Sequence, residues 1–185
     1  MLLGMLAAAL LLAVLVFFAV GPDRFWRLAR PPDLGPVAFE TLERRATPND
    51  ALACPPGFCR AAGDHAPPVF AISAADLRRA FAAMVAGEPR VKRVAIDDAA
   101  MTERWIQRSR IMKFPDTIDV RFLDLPGGRS TLALYSRSQL GSGDMGVNRA
   151  RIERWLGRLE AAVTAPPAAS ARPSATPPAA ARGSR

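Results

Sequence analysis

The sequence predicts an α+β protein: an N-terminal transmembrane helix, then a small antiparallel sheet in the order β-α-β-β-β-β-α with two helices on one face. Three observations carry that reading. Leu2 to Val20 contains no charged or strongly polar side chain. Between residues 69 and 163, apolar side chains recur at strand spacing in some stretches and at helical spacing in two others. A tight Pro126-Gly127-Gly128 turn joins two alternating stretches, as in a hairpin.

The first segment is the strongest feature. Nineteen residues at about 1.5 Å each make a helix of about 28 Å, close to the hydrocarbon thickness of a bilayer. A soluble core helix would keep a polar face, and this segment has none. It reads as an uncleaved anchor rather than a leader, because no Lys or Arg precedes it and no Ala-x-Ala follows it. Phe25 and Trp26, among Arg24, Arg27 and Arg30, then form an interfacial belt. Arginines after the span favour a cytoplasmic flank, whereas Cys54 and Cys59, close enough to be joined, favour an oxidising compartment.

Pro31 to Pro36 forms an extended linker. Residues 37–68 are rich in breakers and read as an irregular arm, pinned to the domain by Val37, Phe39, Leu42 and the cysteine pair. Val69 to Ile72 reads as a short strand. Ser73 and Asp76 open a helix whose apolar stripe is Leu77, Ala80, Phe81, Met84 and Val85, closed by Gly87 and Pro89. Strands are expected over 91–96, 102–112, 117–125 and 130–138. A last helix over 148–163 carries Ile152, Trp155, Leu156, Leu159 and Val163 on one face. The Ala/Pro-rich remainder cannot bury a core and is expected to be disordered. The chain thus divides into an anchor (1–22), an interfacial segment and linker (23–36), a domain (37–163, with its α+β core over 69–163) and a tail (164–185).

The formal charge of +8 suits contact with anionic lipid or another polyanion, without specifying a fold. Gly141 to Gly146 matches G-x-G-x-x-G, but a dinucleotide site needs a second parallel strand after the helix, and here the helix is the last ordered element. What remains is a glycine turn ahead of a helix, a geometry able to hold an anion. Its structural reading is equally direct: Asp144 or Asn148 caps the helix, and Arg137 pairs with Asp144 or Asp116. The functional reading gathers Arg108, Arg110, Arg137, Ser138, Asp144, Asn148 and Arg149, with Lys113, into a basic pocket for a phosphate or carboxylate.

Two cysteines and the single His65 fall short of a four-ligand zinc site, and one histidine weakens any nucleophilic triad. Arg104 to Arg110 interleaves aromatic and basic residues, yet a membrane-tethered domain is a poor reader of nucleic acid. No cofactor, metal or nucleic acid is expected.

Phe114-Pro115-Asp116, Ser136-Arg137-Ser138, Asp144-x-Gly146-x-Asn148-Arg149-x-Arg151 and Trp155-Leu156, with the upstream Cys54-Pro55 and Cys59, resemble the family called domain of unknown function 1499. The resemblance spans roughly Pro48 to Leu159 and implies no activity, cofactor or catalytic residue. Because similar proteins look exported or membrane-anchored, it tilts the reading towards a bacterial inner-membrane protein with a periplasmic domain. The function read from the sequence is a non-enzymatic binding or accessory module, partnered by the bilayer through residues 2–20 and by an anionic small molecule or a membrane protein. The alternative is an enzyme acting on an anionic or lipid-derived substrate, with Asp116 or Asp144 as acid/base.

Overall fold

Alternation over residues 115–138 builds the longest ladder of the sheet. In the computed structural model of the chain, which describes residues 1–29, 31 and 33–165, β4 (Pro115–Leu125) and β5 (Arg129–Ser138) form an antiparallel hairpin. Its turn needs positive φ at both Gly127 (78°) and Gly128 (68°), a region that side chains disfavour. β3 (Thr102–Arg108) pairs with β4, and β2 (Val91–Asp97) pairs with β3. β1 (Asp50–Ala53) adds to the other edge of β5, so five antiparallel strands lie in the order β1-β5-β4-β3-β2.

One face of this sheet is covered by α3 (Ala74–Ala86) and α4 (Val147–Thr164). Ile118, Val120, Phe122, Leu132 and Leu134 point into that layer, because alternate residues of a strand share a face. Phe81 sits at its centre. Its ring meets Phe122 at 5.5 Å, Trp155 at 5.8 Å and Trp105 at 6.4 Å, each edge-on, as the ring quadrupole favours. The Ser73 hydroxyl accepts the Asp76 N–H at 3.1 Å and starts α3 as its sequence anticipates.

The opposite face is covered by the chain that arrives from the N-terminus. α1 (Leu2–Val20) buries none of its residues. It is followed after Gly21 by a helix that the sequence reading did not anticipate, α2 (Pro22–Ala29). Pro22 suits the first helical position, and Asp23 pairs with Arg27 one turn on at 2.6 Å. The Trp26 indole N–H donates to the Met112 carbonyl at 2.7 Å, docking α2 on the loop between β3 and β4. Leu34 N–H donates to Thr117 Oγ1 at 3.1 Å, while Arg137 donates to the Gly35 carbonyl at 2.5 Å. Beyond them Val37, Phe39 and Leu42 pack with Leu52, Ala133 and Tyr135, next to a Cys54–Cys59 disulfide whose Cα atoms are 6.2 Å apart.

Several expectations need correction. Val69–Ile72 is not a strand: Pro67 and Pro68 lack the donor a ladder requires, and only Phe70 bridges, to Ser130. The first strand instead lies inside the arm, at Asp50–Ala53. The strand expected over 102–112 stops at Arg108, where Pro115 is its last partner and the chain turns through Lys113 at φ 56°. From residue 166 the expected disordered tail lies outside the described residues.

Truncating Phe81 removes the ring shared by both helices and the sheet. Phe81→Ala should lower unfolding stability by about 3–5 kcal/mol in denaturant titration, and a loss below ~1 kcal/mol would contradict this packing.

Candidate functional site

The apolar stripe of α4 continues one turn towards its N-terminus with polar side chains. Asn148 lies four residues before Ile152 and Arg151 four before Trp155, so both are carried beneath the sheet, where both are buried. The Arg151 guanidinium spends its donors on four partners. Nε donates to Gln107 Oε1 at 2.6 Å, Nη1 to Ser136 Oγ at 2.7 Å and Asn148 Oδ1 at 2.6 Å, and Nη2 to Asp116 Oδ2 at 2.6 Å. Asn148 Nδ2 in turn reaches the Asn49 carbonyl at 3.0 Å, Ser138 Oγ at 3.0 Å and Asp144 Oδ2 at 2.7 Å. A buried charge is tolerable only when paired and hydrogen-bonded, and this one is both.

The glycine turn is occupied by the chain itself. Asp144 accepts the Gly146 N–H at 3.0 Å and the Asn148 N–H at 2.8 Å, so its carboxylate fills the place an external anion would take. Gly146 is the formal cap residue, with φ 78°.

Of the sequence-selected set, the structure therefore brings together Ser138, Asp144 and Asn148, and separates the arginines. Arg137 lies between Ser136 and Ser138 on a strand and must face the other side, where it pairs with Asp119 at 3.0 Å rather than with Asp144 or Asp116. Arg108 is also on the outer side, 2.8 Å from Asp23. Arg110 stands exposed in the β3–β4 loop, its carbonyl accepting Lys113 Nζ at 2.8 Å. Arg149 turns away to Asp64, 3.1 Å distant. Burial opposes ionisation of Asp64, but the Leu52 N–H and the Arg44 and Arg149 guanidinium groups prevail and hold its carboxyl below the usual range. At Asp119 burial prevails over Arg137 and Arg104, and the carboxyl is pushed up to about 6.

A second basic cluster, of which the sequence reading named only Arg108 and Lys113, surrounds a cleft of about 510 Å³ between α2 and the β2–β3 edge. Arg27, Arg90, Lys92, Arg108 and Lys113 line it with a single carboxylate, Asp23, and an apolar base of Val91, Val94 and Ile106. Asp23 is bonded to both Arg27 and Arg108. Arg90, Lys92 and Lys113 pair with no carboxylate among the described residues; Arg90 donates only to the Arg108 carbonyl, at 3.0 Å. The cleft therefore carries uncompensated positive charge. Among the described residues no cluster of His, Cys, Asp or Glu could hold a metal ion.

The sequence model of the family described as protein of unknown function (DUF1499) matches residues 49–159. The chain belongs to that family. The matched span runs from Asn49, through the whole Arg151 network, to Leu159, so the residues that join α4 to the sheet all lie within it. No curated protein matches the chain.

Two outcomes follow. Arg151→Leu leaves Asp116 buried without its partner and should cost about 3–5 kcal/mol in unfolding experiments, whereas Asp116→Asn combined with Arg151→Met should cost less than the sum of the single changes. The Asp119 carboxyl should titrate near 6 by carboxyl-carbon NMR. Because its folded-state pKa is raised, the native state binds the extra proton between pH ~4 and ~6, and this group's contribution to stability falls as pH rises through that window. A titration near 4 would contradict the burial assigned to it.

Proposed function

We propose that this family member is a non-enzymatic binding module, held in a bacterial inner membrane by an uncleaved α1, that takes an anionic lipid headgroup in the cleft beneath α2. The observation that carries the reading is the lining of that cleft: five cationic side chains against one carboxylate, with apolar side chains at the base. Phosphate attracts such a cluster through charge and directional guanidinium hydrogen bonds. Its position favours a membrane ligand over a soluble one, since only Gly21 separates α2 from the end of the span.

Retention of α1 is supported by the way the juncture packs. Phe17, in the last turn of α1, meets Phe25 at 5.1 Å and Trp26 at 6.1 Å, and Trp26 is itself bonded to the body. The Cys54–Cys59 disulfide favours the periplasmic side. The enzyme alternative draws no comparable support: Asp116 is committed to Arg151 and Asp144 to the glycine turn, leaving neither poised as an acid or base.

The test uses the full chain purified in detergent, with the thermal shift read against short-chain phosphatidylglycerol, phosphatidylcholine and inorganic phosphate. Phosphatidylglycerol should stabilise and phosphatidylcholine should not. Replacing both Arg90 and Lys92 by Gln should weaken binding roughly 30-fold, at about 1 kcal/mol per cation. Equal response to both lipids, or an unaffected double variant, would refute the cleft; stabilisation by phosphate alone would make the ligand soluble. Release of the mature chain by alkaline washing of membranes would refute the anchor.

A further inference from the structure

A second cavity, of about 290 Å³, opens beside the glycine turn. Its walls are Phe114, Pro115, Leu140, Met145 and Val147; of its polar lining, Asp116, Ser138 and Asp144 are engaged in the Arg151–Asn148 network, and the Ser109 hydroxyl accepts the Phe114 N–H at 2.9 Å. What it offers to a visitor is therefore apolar surface. Met145, at its rim, is 100% exposed, and its backbone sits in the left-handed region at φ 53° although it is not glycine. Holding a fully exposed thioether on a disfavoured backbone does nothing for the interior packing of the domain. Val147 (49%) and Phe114 (39%) are also open to the surroundings beside the same cavity.

This cavity is linked to the anchor by stacked rings. Phe17 of α1 meets Trp26 at 6.1 Å, and Trp26 meets Phe114 at 5.3 Å. Phe114 thus lies one aromatic ring from the end of the span, where indoles sit at the headgroup level. Arg110 and Lys113, on the same loop as Phe114, supply the basic collar that such a contact needs against phosphates.

We propose that the glycine turn dips into the leaflet at which α1 ends, and that the cavity walled by Phe114, Leu140, Met145 and Val147 receives lipid acyl hydrocarbon. The body then lies against the bilayer with the Pro115 end of β4 down. The hairpin at residues 126–128 points away from it, about 33 Å distant at roughly 3.3 Å per residue. This surface rests on the anchor reading; it shares Lys113 with the cationic cleft but neither Arg90 nor Lys92, the residues replaced in the test of that cleft, so either can fail alone.

The experiment places a nitroxide at Met145→Cys in the full chain reconstituted into phosphatidylglycerol–phosphatidylcholine liposomes, with Arg129→Cys as the distal reference. The native cysteines are bonded to each other, so only the introduced thiol reacts. Collisions with oxygen should exceed those with a water-soluble nickel chelate at position 145, and the order should reverse at position 129. Val147→Cys, expected to behave as 145, covers the case in which Met145→Cys fails to fold. An aqueous pattern at 145 and 147 would overturn the proposal. So would exclusion of both reagents, which would mean that a protein surface or a second copy covers the turn.

Discussion

A single guanidinium beneath the sheet sets the terms for the rest of this fold. Arg151 is buried, and its charge can stay there only while Asp116 lies opposite and Gln107, Ser136 and Asn148 accept its remaining donors. Those partners come from β3, β4, β5 and the helix itself, and Asn148 extends the network to Asn49 at the start of β1. Four strands and α4 are thereby held in one relative position. Apolar packing around Phe81 could tolerate small shifts of α4, whereas a network of directional bonds cannot.

This explains why the most distinctive residues of the chain are a poor guide to a ligand. Ser136, Ser138, Asp144, Gly146, Asn148 and Arg151 satisfy one another, and the turn that could cradle an anion already holds the Asp144 carboxylate. Unspent charge collects instead on the other face. There residues 23–29 and 33–39 lie against the sheet, contributing Asp23 to Arg108, Asp33 to Arg104 and the Gly35 carbonyl to Arg137. On the anchor proposed above, a chain that packs along the sheet directly after α1 leaves the body little freedom to swing and keeps both the cationic cleft and the glycine turn near the end of α1.

Where the sequence was legible, a single period dominated. Leu77, Phe81, Met84 and Val85 fell on one helical face, Ile118, Val120 and Phe122 on one strand face, and both assignments match the structure. β1 was not legible because Asp50-Ala51-Leu52-Ala53 is short, small-chained and buried on both sides, so it shows no alternation. α2 was hidden by its proline and its charges, although proline at a first helical position is favourable. For the site, the same period of two that identified β5 also separates Arg137 from its serine neighbours, so the arginine could have been assigned to the opposite face from sequence alone. The cationic cleft could not. Its members come from α2, the start of β2, the end of β3 and the loop that follows, and only the folded sheet brings them together.

Arg151, with Asn148, Asp116, Ser136 and Gln107, locks α4 to the sheet. Hydrogen exchange at the Arg151 Nε–H, followed by nitrogen-resolved NMR of the full chain in detergent micelles, reads that lock directly. A resonance protected to the level of the slowest core amides, exchanging only with global unfolding, is the predicted result. Exchange as fast as that of the exposed Arg149 guanidinium would contradict it.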